Sequence, residues 1–447
     1  MTWQSHQVRH LVMRIKDNHT YSKDDFVSAY PLLSDKLLDK TLLTLSRNEN
    51  LLVFPHDFLQ IEDMGHDSKI AETVNNTIKT QNIVGFIGYQ GEKIDIHSRF
   101  SDDNNNYFLH YMLQKVLNIN IVNLDTHLSM KEQFYQLLMY LFPRYLNAAM
   151  RKGIFKQYQR LHHNDSNIKG SIAIPTHIQK NTPFVGKVAY SIREFTQDNN
   201  LMQLVRHTIE YIRVSGKNGR MILNSSEVIK QNVSAVRLAT PTYKSGSKRS
   251  VVIANRNMPV RHAYYTEYLA LQKLCLMILT HKKHSFSGDS KYIHGILFDV
   301  AWLWEEYLHT LLKDDFIHPR NKKSKEGISL FSDRVRTVYP DFYNRERGVV
   351  IDAKYKKLEY TDKGINREDL YQVISYTYIL KARNAGVVYP SSRGSEKNHI
   401  GTLAGYQGNI FKLSLRIPKH IMSYKEFYMD IQESERIFKI KMEELLK

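Results

Sequence analysis

Apolar residues recur along this chain at two different periods, and the period changes several times. Between 107 and 118, and again between 130 and 150, they return every three or four positions, which predicts amphipathic helices. The stretch DNNLMQLVRHTIEYIRVS predicts another helix, with Asp198 or Asn199 near its N-cap. A long helix is expected around 261–282, and KEFYMDIQESERIFKIKMEELLK closes the chain as an amphipathic one. Residues 82–100, NIVGFIGYQGEKIDIHSRF, switch to period two: Ile94 and Ile96 alternate with Asp95 and His97, predicting a hairpin that turns at Gln90-Gly91-Glu92. IKGSIAIPTHIQKN reads as extended, and residues 1–75 as helices followed by the strand Leu51–Phe54. That first stretch has the outline of a small helical or winged module, a pattern that packing alone explains. Pro, Gly, Ser and Lys replace apolar periodicity in TPTYKSGSKRS, so a domain boundary is expected at 240–250. Three regions follow: 1–80, 81–245 and 251–447, the last expected to fold by itself.

Within the last region the elements come in a definite order. FDVAWLWEEYLHTLLKDD is a helix carrying Glu305 and Glu306, and Ile328–Phe331 is a candidate strand. A hairpin follows in YPDFYNRERGVVIDAKYKK, then the helix REDLYQVISYTYIL, then the strand Val387-Val388-Tyr389. The hairpin flanks are rich in Val, Ile, Tyr and Phe, and Gly348 is available for a positive φ in the loop Arg345–Gly348. A loop of two or four residues gives a register in which Asp341 faces Asp352; a loop of three breaks it. Opposed residues have Cβ atoms about 4.5–5.5 Å apart. Strand side chains alternate, so Lys354 shares the face of Asp352 while Ile351 and Ala353 point the other way.

Two carboxylates this close repel, and a sheet gains nothing from them. A hard divalent cation reverses the sign: Mg²⁺ prefers oxygen ligands and usually takes one or two carboxylates with water and phosphate. Lys354 would then orient or help deprotonate the attacking water. The competing reading is a surface hairpin with a solvated Asp–Lys pair, disfavoured because Asp352 directly follows the apolar run Val349-Val350-Ile351.

Composition narrows the partners. Hydrophobic residues make up 42% of the 447, ordinary for a globular protein with two or three domains. The single cysteine, Cys275, lies in an apolar run, so a buried helix position and a reducing, cytoplasmic setting are expected. No apolar signal core opens the chain and no uninterrupted span is long enough for a bilayer, so no membrane role is expected. Lys and Arg number 63 against 45 Asp and Glu, a net charge of +18 that favours a polyanion. Arg320, Lys322, Lys323, Lys325, Arg334, Arg336, Lys356 and Lys357 cluster near the hairpin, where they could neutralise phosphates. His162-His163 lacks both a shared helix face and a cysteine pair, so no zinc site is expected there. With no G-x-x-x-x-G-K-[ST] loop and no G-x-G-x-x-G, any nucleotide-driven step belongs to another polypeptide.

Pro340-Asp341 and Asp352-Ala353-Lys354 resemble the two elements of the PD-(D/E)xK nuclease superfamily, and the order helix–hairpin–helix–strand resembles its α-β-β-β-α-β core. Leu303-Trp304-Glu305-Glu306-Tyr307 resembles the family's first-helix motif, which implies Glu305, or alternatively Glu306, in the metal shell. Gln372 and Tyr376 resemble the Q-x-x-x-Y element of the RecB-like branch, one turn apart on a single helix face. With VGFIGYQGEKIDI, KGSIAI and DNNLMQLVRHTI, most of the chain from about residue 80 resembles the McrC-like endonuclease subunits of McrBC-type or LlaJI-like restriction systems.

The resemblance implies a mixed α/β chain: an N-terminal α+β partner-binding region at 81–245, then a restriction-endonuclease-like core. It implies Mg²⁺ held by Asp341, Asp352, the Ala353 carbonyl and Glu305, with Lys354 and Gln372 catalytic. Arg320, Lys322, Lys323, Lys356 and Tyr376 are the expected DNA contacts. The implied substrate is DNA, methylated or not, cut to 5′-phosphate and 3′-hydroxyl ends. The implied partner is a McrB-like AAA+ GTPase hexamer, which binds the GTP. The other readings are a non-cleaving activator of that GTPase and a stand-alone repair nuclease.

Overall fold

The computed structural model describes residues 13–48, 50–55, 67–101, 106–117, 130–284, 293–319, 327–358 and 365–447. The chain divides into two compact units, one of Met1–Leu128 with Lys291–Lys447 and one of Ser129–Ser290. The expected boundary at 240–250 falls inside the second unit, where Ser245–Ser247 forms one turn of 3-10 helix leading into the helix Lys248–Asn257. Its Pro, Gly and Ser mark a change of direction between helices, and composition cannot distinguish that from a linker.

Strand pairing explains the division. His294–Asp299 pairs in parallel with Asn50–Phe54 and antiparallel with Ile83–Tyr89, in a five-stranded sheet that continues through Glu92–His97 to Ile15–Lys16. A strand near the start of the C-terminal region is thus held on both edges by N-terminal strands. Gly85 permits that closeness: at φ 137°, a Cβ there would lie 2.1 Å from the carbonyl oxygen of Ile296. The expected hairpin forms as Ile83–Tyr89 and Glu92–His97, with Gln90 and Gly91 both at positive φ in the turn. The helices expected before Leu51–Phe54 form as three short ones, Lys23–Ala29, Pro31–Leu37 and Leu42–Asn48. Their apolar faces and the sheet share one core, which includes Leu33, Leu37, Ile78, Ile87 and Leu297.

A second five-stranded sheet follows the order Phe342–Asn344, Val349–Ala353, Asn384–Ser391, Asn409–Arg416, Lys397–Thr402. The middle pairings are parallel and the outer two antiparallel. Val349–Ala353 is buried along its whole length, as expected of a central parallel strand. The helix Arg367–Leu380 covers this sheet through Val373, Tyr376 and the apolar strand residues Ala385 and Val387. Ile328–Phe331 does not supply a further strand to the sheet: only Ile328–Ser329 is extended, paired with Thr337–Val338 in a separate two-stranded ribbon. Two residues with one apolar side chain bury too little to join a sheet face.

The second unit is mostly helical. Asn200–Val214 is central, capped by Asn199, whose side chain accepts the Met202 N–H at 3.1 Å. It packs against Lys248–Asn257, Thr266–His284, Gly216–Leu223 and Glu227–Ala239, while Met130–Met150 packs along Thr266–His284. Cys275 is buried in that last helix. Gln157–Asp165 and Val188–Thr196 form a nine-pair antiparallel ribbon, on which His163 stacks against Tyr190. The stretch expected to be extended is so only at Ser171–Ile172; Pro175 opens the helix Ile174–Asn181.

Candidate active site

The hairpin takes the four-residue loop. Asn344 pairs with Val349, Tyr343 with Val350 and Phe342 with Ile351, the register that sets Asp341 opposite Asp352. Gly348 turns the chain at φ 64°, and the Asn344 side chain accepts the Arg347 N–H. Asp341 Oδ2 in turn accepts the Ala353 N–H at 2.6 Å, which ties the first carboxylate to the strand bearing the second. Asp352 is 2% exposed. Its Oδ2 lies 2.7 Å from Lys354 Nζ but accepts no hydrogen bond of regular geometry, so this buried oxygen has unused capacity.

Lys354 Nζ also donates to Gln372 Oε1 at 3.0 Å, and Gln372 Nε2 donates to the Tyr376 hydroxyl at 3.1 Å. The helix Arg367–Leu380 therefore supplies both expected residues on one face, at i and i+4. Tyr376, an expected DNA contact, is buried, and its hydroxyl accepts from Gln372. Lys356 Nζ donates to both Asp369 oxygens, at 3.1 and 2.8 Å, so the expected phosphate contact begins with its charge engaged. Arg320, Lys322 and Lys323 lie outside the described residues.

Glu305 sits on the helix Val300–Leu312, which is capped by Asp299 through the N–H groups of Ala301 and Trp302. Burial pushes the Glu305 carboxyl well above its usual range, and Asp341, Asp299 and Asp352 push it further. Asp341 is raised to about 8 by burial and by Asp352. Burial also raises Asp352 against the pull of Lys354. For Lys354 burial works downward, but Asp352 and Asp369 outweigh it and leave the ammonium more firmly protonated than usual. Glu306 instead faces His318, whose Nε2 is 3.8 Å from its Oε1 and whose Nδ1–H donates to the Asp341 carbonyl at 2.6 Å. Glu305 thus lies in the field of the carboxylate pair, while Glu306 faces His318.

These residues fit a divalent cation by charge and by the buried Asp352 oxygen, which has no hydrogen bond of regular geometry. Among the described residues, no group of three or more His, Cys, Asp or Glu forms a ready cage. Water and substrate phosphate would have to complete the shell, as is usual for Mg²⁺. Ala353, expected to offer its carbonyl, meets Asp341 through its N–H. Asp369 and His318 were not anticipated. Asp369 precedes Gln372 by three positions, a helical spacing that could have flagged it, but an acid in a first helical turn is ordinary.

The fold and site define an α/β protein with an opposed carboxylate pair and an adjacent lysine. The chain matches the model of the family "McrBC 5-methylcytosine restriction system component" over residues 78–390, and it belongs to that family. It is similar to a half-complex from a tetradecameric assembly of Thermococcus gammatolerans McrB AAA+ hexamers with bound McrC, at 15% identity and TM-score 0.46. That likeness covers 94% of this chain and 99% of the other. It is also similar to a chain of the Thermococcus gammatolerans McrBC complex, at 14% identity and TM-score 0.30, over 68% of this chain and 87% of that one. No curated protein matches it. Among the described residues no helix is long and apolar enough to cross a membrane.

Proposed function

We propose that this chain is the Mg²⁺-dependent DNA endonuclease subunit of a McrBC-like restriction system, cutting in dependence on a partner AAA+ GTPase and stimulating it. The observation that carries the reading is the register that opposes Asp341 and Asp352, with Lys354 Nζ 2.7 Å from a buried Asp352 oxygen that has no regular hydrogen bond. Asp341, Asp352 and Glu305 would hold the cation. Bound there, Mg²⁺ supplies charge stabilisation at the phosphoryl oxygens. Lys354 orients the attacking water, and Gln372, braced by Tyr376, fixes the ammonium. The family membership supports the pairing with a GTPase, and the sequence has no phosphate loop of its own.

Asp352→Asn and Lys354→Ala should each lower cleavage by about a thousandfold or more, on the scale of losing one charge-stabilising group. Partner binding and GTPase stimulation should be retained. The measurement is DNA cutting with the partner, GTP and Mg²⁺, alongside GTP turnover. Cutting at the wild-type rate by either variant would overturn the site assignment.

A further inference from the structure

Lys354 has three acceptors within reach: Asp352 Oδ2 at 2.7 Å, Gln372 Oε1 at 3.0 Å and Asp369 Oδ1 at 3.5 Å. The third contact is the longest because Asp369 is already taken, both its oxygens accepting from Lys356. Lys356 is also the member of this chain of charges that faces solvent. Its side chain is 45% exposed, against 18% for Lys354, 7% for Asp369 and 3% for Asp352. The arrangement is a row of alternating charges, Asp352–Lys354–Asp369–Lys356, with only its last cation open to an incoming anion.

We propose that Asp369 is a positioning residue controlled by Lys356. A backbone phosphate that draws Lys356 away frees Asp369 to take Lys354, and Lys354 then uncovers the Asp352 oxygen for a divalent cation. Exchanging one ion pair for another nearly balances, so a single phosphate contact is enough to move the row. Without DNA, Lys354 occupies the oxygen that the cation needs. Substrate contact and cation binding thus become linked through two side chains, and each tightens the other. This inference rests on the nuclease reading above.

The test is Ca²⁺ binding to the full-length protein without DNA, followed by titration calorimetry. Lys356→Ala should bind about fivefold more tightly and Asp369→Asn about fivefold more weakly, the scale of one partly exposed ion pair. Simple loss of a charge would give the same two signs, so the double variant decides. If Lys356 acts through Asp369, the double variant binds as weakly as Asp369→Asn; if the charges act independently, it returns to the wild-type affinity and the proposal fails. Lys357→Ala, one residue away, should leave the affinity unchanged, and matching Lys356→Ala would also overturn the relay. A short DNA duplex should raise the affinity of the wild type and not that of Lys356→Ala. Asp352→Asn separates the two readings: retained Ca²⁺ binding there defeats the metal site itself. Thermal melts establish that each variant is folded.

Discussion

The two units differ most in charge. Ser129–Ser290 carries 24 Lys and Arg against 8 Asp and Glu, a net +16 of the chain's +18, and the other unit holds 39 against 37. The near-neutral unit contains every member of the candidate site, and there the charges are buried and opposed at short range. In the basic unit many lie on surfaces, as on the ribbon Gln157–Asp165/Val188–Thr196, where exposed Arg193 sits over the ring of Tyr158. One number for the whole chain therefore combines two properties. Under the proposed function, long-range attraction for polyanions would come from the inserted unit, and short-range chemistry from the interrupted one.

The largest effect that would test this division is all or none. A fragment spanning 251–447 should fail to fold, because His294–Asp299 would lose Asn50–Phe54 on one edge and Ile83–Tyr89 on the other. It would also carry Thr266–His284 without Asn200–Val214 and Met130–Met150. Residues 129–290 expressed alone should melt cooperatively. Circular dichroism and thermal melts check both, and a cooperative melt of 251–447 would break the comparison.

Next in size is a change confined to one unit. Asp17 is fully buried and is held by Arg99, whose backbone N–H donates to Oδ1 at 2.5 Å and whose guanidinium donates to Oδ2. Arg99→Ala leaves that carboxylate without its partner, a loss of about 3–5 kcal/mol. Two unfolding transitions are expected in denaturant, and only that of the unit containing the site should move. A shift of both would show that the units unfold together.

The hairpin at 339–357 was legible because its register depends on arithmetic within 19 residues, and because an acid beside an apolar run is rare. The helices at 107–117, 130–150 and 200–214 were legible for the same local reason: their periodicity is strong. The two-unit division was not. It depends on His294–Asp299 pairing with strands some 200 residues earlier, and no local pattern encodes that. Asp369 and His318 escaped notice likewise, since an acid in a first turn and a histidine after a helix become informative only once their partners are known. Lys356 was expected from its charge and Tyr376 from the Q-x-x-x-Y resemblance, but burial and ion pairing decide what they touch.

A smaller effect sharpens the charge contrast. Arg160 and Arg193 are directly opposed on the ribbon, a pairing of like charges that an anion would relieve. Replacing both with alanine should make the dependence of log K on log salt for duplex DNA shallower by about 2. Fluorescence anisotropy over a salt series measures it. An unchanged slope would remove the ribbon from the polyanion surface.

The smallest predicted effect concerns the start of the site helix. Asp299 caps it with a carboxyl raised to about 6, mainly by burial, with the charge of Asp17 adding to the rise while the N–H groups of Trp302 and Ala301 oppose it. Its ordinary value is 3.8, so between these two pH values the folded state binds more proton than the unfolded one. Stability from this group is therefore greatest below pH about 4 and is lost as pH rises through about 6. Asparagine caps a helix as well as aspartate does and carries no charge to bury. Asp299→Asn should thus gain on the wild type by about 1 kcal/mol between pH 4 and pH 7, the full shift being discounted because the side chain is partly exposed. Denaturant melts at the two pH values measure the difference. The gain should appear only in the transition of the unit that carries the site, and parallel pH profiles for the two proteins would show that the carboxyl keeps its ordinary value.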